Sequence, residues 1–231
     1  MEFISLRKCL LTVGILALFQ TVKADDIIMA TPEQSEPVEH AVVELHITQR
    51  DFPGTETKSH KKTLPLAGHS ICSGAFIDNT GDIITAGHCA AEAANIEVVT
   101  YDQRHYKAVV VATSSIHDLA LIHIDRLNTA FFRPAPKVER GEKVFILGSP
   151  LGITDSLSTG IIAKLDGDII LVDCGALPGN SGSAVYNVDG QLVGVLTAGY
   201  WVGFGTTHLN ISQSVDAVYF FLVRAFRGIR Q

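Results

Sequence analysis

Short apolar or alternating runs dominate the chain from about residue 41 onward. None is longer than nine residues, and turn-forming stretches such as DNTGD, DGD and VDG separate several of them. Because parallel sheets need crossover helices, a series of short strands without helices between them predicts closed antiparallel barrels or sandwiches. The runs are AVVELHIT, SGAFID, DIITAG, IEVVTY, YKAVVVA, LALIHI, KVFILG, TGIIAKL, DIILVD, SAVYNV, QLVGVLTAG and THLNIS.

Only two segments have helical character. One is AAEAAN, and the other is the tail SVDAVYFFLVRAFRG. In the tail, helical spacing brings five apolar side chains to one face: Val215, Val218, Phe221, Leu222 and Ala225. We therefore expect a C-terminal helix that packs on a barrel.

The stretch RLNTAFFRPAPKVER, rich in prolines and charges, lies between two groups of predicted strands. We interpret it as the crossover between two halves of an all-β fold. The predicted units are an N-terminal barrel over residues 40–127, a linker over 128–141, a C-terminal barrel over 142–212 and a helical tail over 213–231.

The first residues carry an export signal. Arg7 and Lys8 precede the apolar run CLLTVGILALFQTV, and a small-residue cleavage site ends at Ala24. The run is shorter than the roughly 20 residues that cross a bilayer as a helix. We expect residues 1–24 to be removed, which leaves a secreted or periplasmic protein with no stable membrane insertion; an uncleaved anchor is the alternative. Residues 25–39, acidic and with two prolines, are expected to be a flexible leader.

Composition narrows the classes of partner. The chain has 231 residues and a net charge of -6, and it has no basic run of the kind that binds nucleic acid. Three cysteines remain after export, Cys72, Cys89 and Cys174, and an oxidising compartment favours one disulfide and one free thiol. Cys and His spacings do not match common zinc sites, so we expect no metal.

The segment LPGNSGS contains a candidate nucleophile, Ser181. Its candidate partners are His88 in TAGHC, directly after a predicted strand, and Asp118, which opens the apolar strand LALIHI. Each residue has an ordinary alternative as a surface, turn or core residue. Asp125 is a second candidate acid, but it follows the strand, and Ser183 is a second serine in the motif.

Together these residues occur in the order His, Asp, Ser, in which a nucleophilic triad can be built. Ser181 would attack a carbonyl, His88 would transfer the proton, and Asp118 would hold the imidazole tautomer. Backbone N–H groups of the turn Gly179-Asn180-Ser181 would form the oxyanion hole, each worth roughly 3 to 4 kcal/mol if aligned.

TAGHC, DLALIHI and PGNSGS resemble the three triad motifs of the chymotrypsin-like serine peptidase superfamily. Within it, the longer stretches SGAFIDNTGDIITAGHC and LPGNSGSAVYNVDGQLVGV resemble HtrA-type and other bacterial trypsin-like peptidases. The resemblance covers nearly the whole exported chain. It implies two six-stranded antiparallel β-barrels with the triad in the cleft between them, and no cofactor. We expect no appended PDZ domain, since the chain ends soon after the second predicted barrel.

The resemblance also assigns the remaining motif residues. Cys72 and Cys89 match the cysteines that brace the histidine loop of animal trypsins, so we expect them paired, at roughly 3 kcal/mol, and Cys174 free. Asn180 stands where trypsins carry an aspartate that binds a new N-terminus, which argues against activation by zymogen cleavage. Ser183 replaces a glycine, a change also seen in glutamyl endopeptidases.

By the same resemblance, the substrate pocket begins near Gly175, and Thr197, Ala198 and Gly199 would pair with an extended peptide. Gly175 offers no carboxylate, so a small or aliphatic substrate side chain is expected rather than Lys or Arg. The alternative is Glu or Gln, bound by His208 on the far wall.

The sequence thus predicts an exported serine endopeptidase that acts on peptides or proteins through an acyl-enzyme. A catalytically inactive homologue that acts as a binding protein is the main alternative. Esterase activity is a third, although the strand-Gly-x-Ser-x-Gly-helix context usual for esterases is absent. Oligomeric state is not set by these patterns.

Overall fold

The structure, a computed structural model, describes residues 38–50, 68–127, 130–202 and 205–229, and the side chains of residues 200–208 and 229 are not among the parts described. The predicted signal peptide and most of the predicted leader lie outside these ranges. The elements are β1 (Val42–Gln49), β2 (His69–Phe76), β3 (Asp82–Ala86), α1 (Gly87–Ala90), β4 (Ala93–Thr100), β5 (His105–Lys107), β6 (Val109–Ser114), β7 (Leu119–His123), β8 (Arg133–Pro134), β9 (Lys143–Gly148), β10 (Ser156–Asp166), β11 (Ile169–Val172), β12 (Ala184–Asn187), β13 (Gln191–Val202), β14 (Gly205–Ser214) and α2 (Val215–Ile229).

The N-terminal half is a curled antiparallel sheet with the strand order β5-β4-β1-β2-β3-β7-β6. Its two outer strands are consecutive parts of one stretch, separated only by Ala108. β5 pairs with β4 while β6 pairs with β7, and the Ala108 N–H donates to the Ile96 carbonyl at 2.9 Å. Residues 105–114 therefore join the two edges of the sheet.

The C-terminal half is a closed antiparallel barrel. Its strands follow the order β12-β9-β10-β11-β14-β13, and a further pairing of β12 with β13 completes a ring of six. β8, from the predicted linker, adds a short parallel pairing to β13 at Gln191 and Leu192. The prediction of an all-β fold with two antiparallel units and a C-terminal helix is confirmed. The C-terminal half is the expected six-stranded barrel, whereas the N-terminal half is a curled sheet of seven strands.

Three apolar cores account for the continuous apolar runs of the sequence. One core lies within each half, and the third lies between the halves and α2. β3 contributes to two of them, because Ile83 packs inside the first half and Ile84 packs in the shared core. The same holds for Ile122 and Leu121 on the neighbouring β7. Strands that are buried on both faces read as unbroken apolar runs, as DIITAG and LALIHI do.

α2 forms as the apolar spacing predicts. Val215, Val218, Phe221 and Ala225 are buried in the shared core, with Leu222 partly buried against it. Burial of such a stripe, rather than intrinsic propensity, supplies most of the stability of a helix of this length. Among the described residues, no helix is both long and apolar enough to cross a bilayer.

The helix expected over AAEAAN is wrong. The one-turn helix α1 ends at Ala90, and β4 begins at Ala93. Asn95 pairs with Thr48 of β1, and Ala93 pairs with Gln49 across a register shift. Ladder hydrogen bonds to β1 thus override the local helix preference of the alanines.

Candidate active site

His88 and Asp118 meet because β3 and β7 are antiparallel neighbours. Ala86 at the end of β3 pairs with Leu119 at the start of β7, so the residues just beyond them are adjacent. The two carboxylate oxygens of Asp118 bind two atoms of His88. Oδ1 accepts from the His88 backbone N–H at 2.7 Å, and Oδ2 lies 2.8 Å from Nδ1. This two-point contact fixes the imidazole relative to the carboxylate.

Gly87 permits this close approach. Its N–H donates to the Asp118 carbonyl at 2.7 Å, and a Cβ added at Gly87 would lie 2.9 Å from both Oδ1 and the backbone of Asp118. Asp118 itself adopts a left-handed conformation, with φ of 49°. Aspartate tolerates this region better than most residues, because its short polar side chain bonds locally.

Ser181 follows a tight turn at Leu177-Pro178-Gly179-Asn180. The Asn180 N–H donates to the Leu177 carbonyl at 3.0 Å, and Gly179 has φ of +104°. Proline at the second position and a left-handed glycine at the third are typical of a type II turn. Here the Asn180 N–H serves the turn itself, while Gly179 and Ser181 flank it.

Four successive carbonyls of this turn are held by hydrogen-bond donors. Pro178 accepts from the Leu151 N–H at 2.7 Å and Gly179 from the Ser73 hydroxyl at 2.8 Å. The Asn180 carbonyl accepts from Ser183, and that of Ser181 accepts from the Ser73 N–H. C=O and N–H point in opposite directions across a trans peptide, so the N–H groups of Gly179 and Ser181 face away from these donors. In the described parts of the chain, neither N–H has an acceptor.

The serine turn, residues 177–181, contacts the first half of the molecule. Besides the Ser73 N–H, Cys89 lies beside the Ser181 carbonyl, with Sγ 3.9 Å from the oxygen. A Cβ at Gly182 would lie 2.1 Å from the Ser73 carbonyl and 2.2 Å from the Thr85 hydroxyl. Ser181 is thereby brought next to α1, which carries His88.

The cysteines pair as expected. Cys72 on β2 and Cys89 on α1 form a disulfide, with Cα atoms 6.4 Å apart. The bond ties the strand that supports Ser181 to the helix that carries His88. Among the described cysteines only Cys174 is free, and it is fully buried.

Cys174 is expected to resist alkylation in the folded protein. Burial, with a contribution from the charge of Asp173, raises the pKa of its thiol to about 12, so almost no reactive thiolate exists near pH 8. Peptide mapping after iodoacetamide treatment should find Cys174 modified only when denaturant was present. Rapid modification of the native protein at pH 8 would contradict its burial.

The candidate substrate residues lie around the same turn. β12 pairs with β13 as far as Val195, and Leu196 continues this edge through bonds to Gly182 and Ser183. Beyond Leu196, the structure describes no strand on this edge of β13. Three predicted contact residues follow there: Thr197, which is buried, and Ala198 and Gly199, which are exposed.

The other two predicted pocket residues are Gly175 and His208. Gly175 is exposed, and a Cβ there would meet only the Ser158 hydroxyl, at 3.5 Å. The backbone of His208 lies in β14, whereas its side chain is outside the described parts. Asn210, two residues on, is buried and donates to the Cys174 carbonyl just before Gly175.

Asp125 is remote from His88. It lies beyond the far end of β7 from Asp118, about 20 Å away at the rise of an extended strand. Only one cluster of described residues has the spacing of metal ligands, Cys72, His88 and Cys89. Its two sulfur atoms are joined in the disulfide, so they offer no thiolate.

Neither Ser73 nor Leu151 stands out in the sequence, although both are hydrogen-bonded to the serine turn. The one available signal was a polar residue inside the apolar strand SICSGAF. A serine there is equally typical of a solvent-facing strand position, and only the fold shows that Ser73 is fully buried.

Residues 72–195 match the model of the family described as trypsin-like peptidase domain. The chain is 33% identical over 178 residues to a probable periplasmic serine endoprotease, DegP-like, of Pseudomonas putida, which covers 73% of this chain and 37% of that protein. It is 31% identical over 163 residues to Protease Do-like 1, chloroplastic, of Arabidopsis thaliana, with coverages of 63% and 37%. The chain thus spans just over a third of the length of these relatives.

Solved structures share the fold. A serine endoprotease from Yersinia pestis superposes with a TM-score of 0.71 at 22% identity, over 87% of this chain and 68% of that one. The HtrA-type protease AlgW, solved with a tripeptide, gives a TM-score of 0.72 at 23% identity, over 84% and 63%.

Proposed function

Because this chain belongs to the family of trypsin-like peptidase domains, we propose that it is a serine endopeptidase with Ser181, His88 and Asp118 as its triad. The observation that carries the proposal is the two-point contact between Asp118 and His88, at 2.7 and 2.8 Å. A carboxylate bound in this way holds the imidazole with its proton on Nδ1, which leaves Nε2 to act as the base.

The reaction begins when the Ser181 hydroxyl oxygen attacks the scissile carbonyl carbon. The hydroxyl proton passes to His88 Nε2, and the imidazolium gives it to the leaving amine as the C–N bond breaks. Water then attacks the acyl-enzyme, with His88 again as the base, and the proton returns to the Ser181 oxygen as the acid product leaves. The nucleophile, the base and the carboxylate of this mechanism are all residues of the chain.

The N–H groups of Gly179 and Ser181 are the proposed oxyanion donors. Their orientation follows from the carbonyls on either side of them, which are bound by Leu151, Ser73 and Ser183. Donors fixed before the reaction stabilise the charge that develops in the transition state without having to reorganise. Asn180 contributes by closing the turn rather than by its own N–H.

A peptide substrate would extend the edge of β13. The backbone of Thr197, Ala198 and Gly199 continues past the end of β12, where an extended peptide can add as a strand. The substrate side chain would enter beside Gly175, which supports a small or aliphatic preference. A preference for Glu or Gln, bound by His208, is the competing specificity.

Export completes the proposal. The charged and apolar pattern of residues 1–24 supports a signal peptide cleaved after Ala24, and residues 25–39 would then precede the first barrel as a leader. A relative named as a periplasmic endoprotease agrees with a secreted or periplasmic location.

A fluorophosphonate probe tests the activity directly. We expect the serine oxygen to displace fluoride and become covalently labelled, so that peptide mapping finds the probe on Ser181. His88→Ala should label far more slowly, since the base is missing. A well-folded wild-type protein that takes up no probe would overturn the proposal and favour the inactive binding homologue.

A peptide library then distinguishes the two specificities. Cleavage after small or aliphatic residues is expected, and a His208→Ala variant should keep that preference. Cleavage mainly after Glu or Gln that is lost in His208→Ala would support the competing pocket, and a profile dominated by Lys or Arg would contradict both.

A further inference from the structure

We propose that Ser73 is a positioning residue whose hydroxyl sets the conformation of the serine turn, and so the direction of the oxyanion donors. This inference rests on the proposed function. Ser73 lies on β2 of the first half, in the strand that also carries Cys72 of the disulfide. It is fully buried, and its side chain does not contribute to any apolar core.

All the polar groups of Ser73 are bonded across the boundary between the halves or to the neighbouring strand. The hydroxyl donates to the Gly179 carbonyl at 2.8 Å and accepts from the Ser149 N–H at 3.0 Å. The backbone N–H donates to the Ser181 carbonyl at 2.8 Å, and the carbonyl accepts from the Thr85 hydroxyl at 2.7 Å. A side chain that binds two separate loops through one oxygen fixes their relative position.

The same two loops are joined by a second hydrogen bond nearby. Leu151, two residues after Ser149, donates its N–H to the Pro178 carbonyl, one residue before Gly179. This hydrogen bond decides which way the Pro178–Gly179 peptide faces, and hence where the Gly179 N–H points. Ser73 thus binds both of the loops that make this bond, at Gly179 and at Ser149.

The hydrogen bond from the Leu151 N–H to the Pro178 carbonyl depends on its surroundings to hold Leu151 in place. Leu151 has φ of 55°, in the left-handed region, and the residue is 63% exposed, so little packing stabilises it there. A non-glycine residue in this region costs about 1 to 3 kcal/mol and persists when its surroundings hold it. The Pro178–Gly179 peptide can also rotate, because a type II turn interconverts with a type I turn by a flip of its central peptide.

The Ser73 hydroxyl lies in a closely packed cluster of polar groups. A Cβ on Gly148 would lie 2.2 Å from the Ser183 hydroxyl, 2.6 Å from Asn180 Oδ1 and 3.0 Å from the Ser73 hydroxyl. Gly148 therefore packs directly against these polar groups. In Ser73→Ala, the Gly179 carbonyl and the Ser149 N–H lose their partner, and the two loops are free to separate.

We expect Ser73→Ala to lower kcat for a peptide substrate by about 10- to 100-fold, less than the loss of a donor itself, with KM changed less than about threefold. A peptide boronate places an oxyanion-like oxygen in the oxyanion hole. Its inhibition constant should rise by about the same factor by which kcat/KM falls. Binding of a non-cleavable peptide of the same sequence, which makes no oxyanion, should stay within about threefold.

Two variants separate positioning from stability. Thr100→Val removes another buried hydroxyl of the first half, whose bonds join Asp102, Arg104 and Arg126, and it should lower the Tm while kcat stays near wild type. Ser73→Thr keeps the hydroxyl but adds a methyl to a packed site, so a hydroxyl role predicts a kcat above that of Ser73→Ala, and a packing role predicts one below it. All rates are measured well below each Tm.

The outcomes are distinguishable. If wild type neither reacts with the fluorophosphonate nor cleaves peptides, the proposed function fails. If wild type is active but Ser73→Ala keeps its kcat and its boronate affinity, or loses only Tm as Thr100→Val does, the positioning role of Ser73 is wrong while the triad stands.

Discussion

Replacing Ser181 with alanine is expected to lower kcat for peptide hydrolysis by about ten-thousandfold or more, with KM almost unchanged. Alanine removes the attacking oxygen but leaves the turn, the strand edge and the His88–Asp118 contact as they are. Substrate should therefore bind with normal affinity but should not acylate the enzyme. Initial rates over a range of peptide concentrations separate the two constants.

Ser183→Ala is the matched control for Ser181. It removes a hydroxyl from the same motif, two residues on, but Ser183 is fully buried and its oxygen is directed toward Asn180 at 3.5 Å. We expect it to retain activity within about tenfold of wild type. A Ser181→Ala protein that hydrolyses peptides near the wild-type rate, or a Ser183→Ala protein that is inert, would contradict the nucleophile assignment.

Asp118→Asn is expected to lower kcat by about ten-thousandfold, as in the chymotrypsin-type triad. An asparagine can still accept from the His88 backbone N–H through its oxygen. Its amide then faces Nδ1 as a donor, so the imidazole must carry its proton on Nε2. A protonated Nε2 cannot accept the Ser181 proton. Steady-state kinetics on a peptide substrate measure the loss.

The chain contains a matched control for this change as well. Asp82 and His123 form a second Asp–His contact of the first half, with Oδ1 2.7 Å from Nδ1. Asp82→Asn makes the same chemical change on β3, away from the serine turn, and should leave kcat within about threefold of wild type. Equal losses in the two variants would mean that Asp118 acts only through stability.

Much of the fold was predictable from two features of the strand sequences. They either alternate apolar and polar residues or are apolar throughout, and the runs are shorter than most helices. The triad candidates were predictable too, since His88 and Asp118 each stand at the end of an apolar run. Their contact was not, because it depends on the pairing of Ala86 with Leu119, a register that no single strand encodes.

Other features could not be predicted from the local sequence, because they depend on residues far away in the chain. Alanine-rich AAEAAN has helical propensity, yet its end pairs as a strand because β1 offers it a ladder. Cys72 and Cys89 could be paired only by resemblance, since the three cysteines after residue 24 allow three pairings. Ser73 and Leu151 act through partners more than 20 residues away, and neither residue type is unusual where it stands.

The bond from the Ser73 backbone to the Ser181 carbonyl has a consequence for biosynthesis. The proposed nucleophile belongs to the second half, yet the groups that bond its turn come partly from the first, so neither half alone contains the whole proposed site. Domains of a nascent chain generally fold from the N-terminus onward. Under the proposed function, proteolytic activity would therefore arise only after both halves have folded and docked.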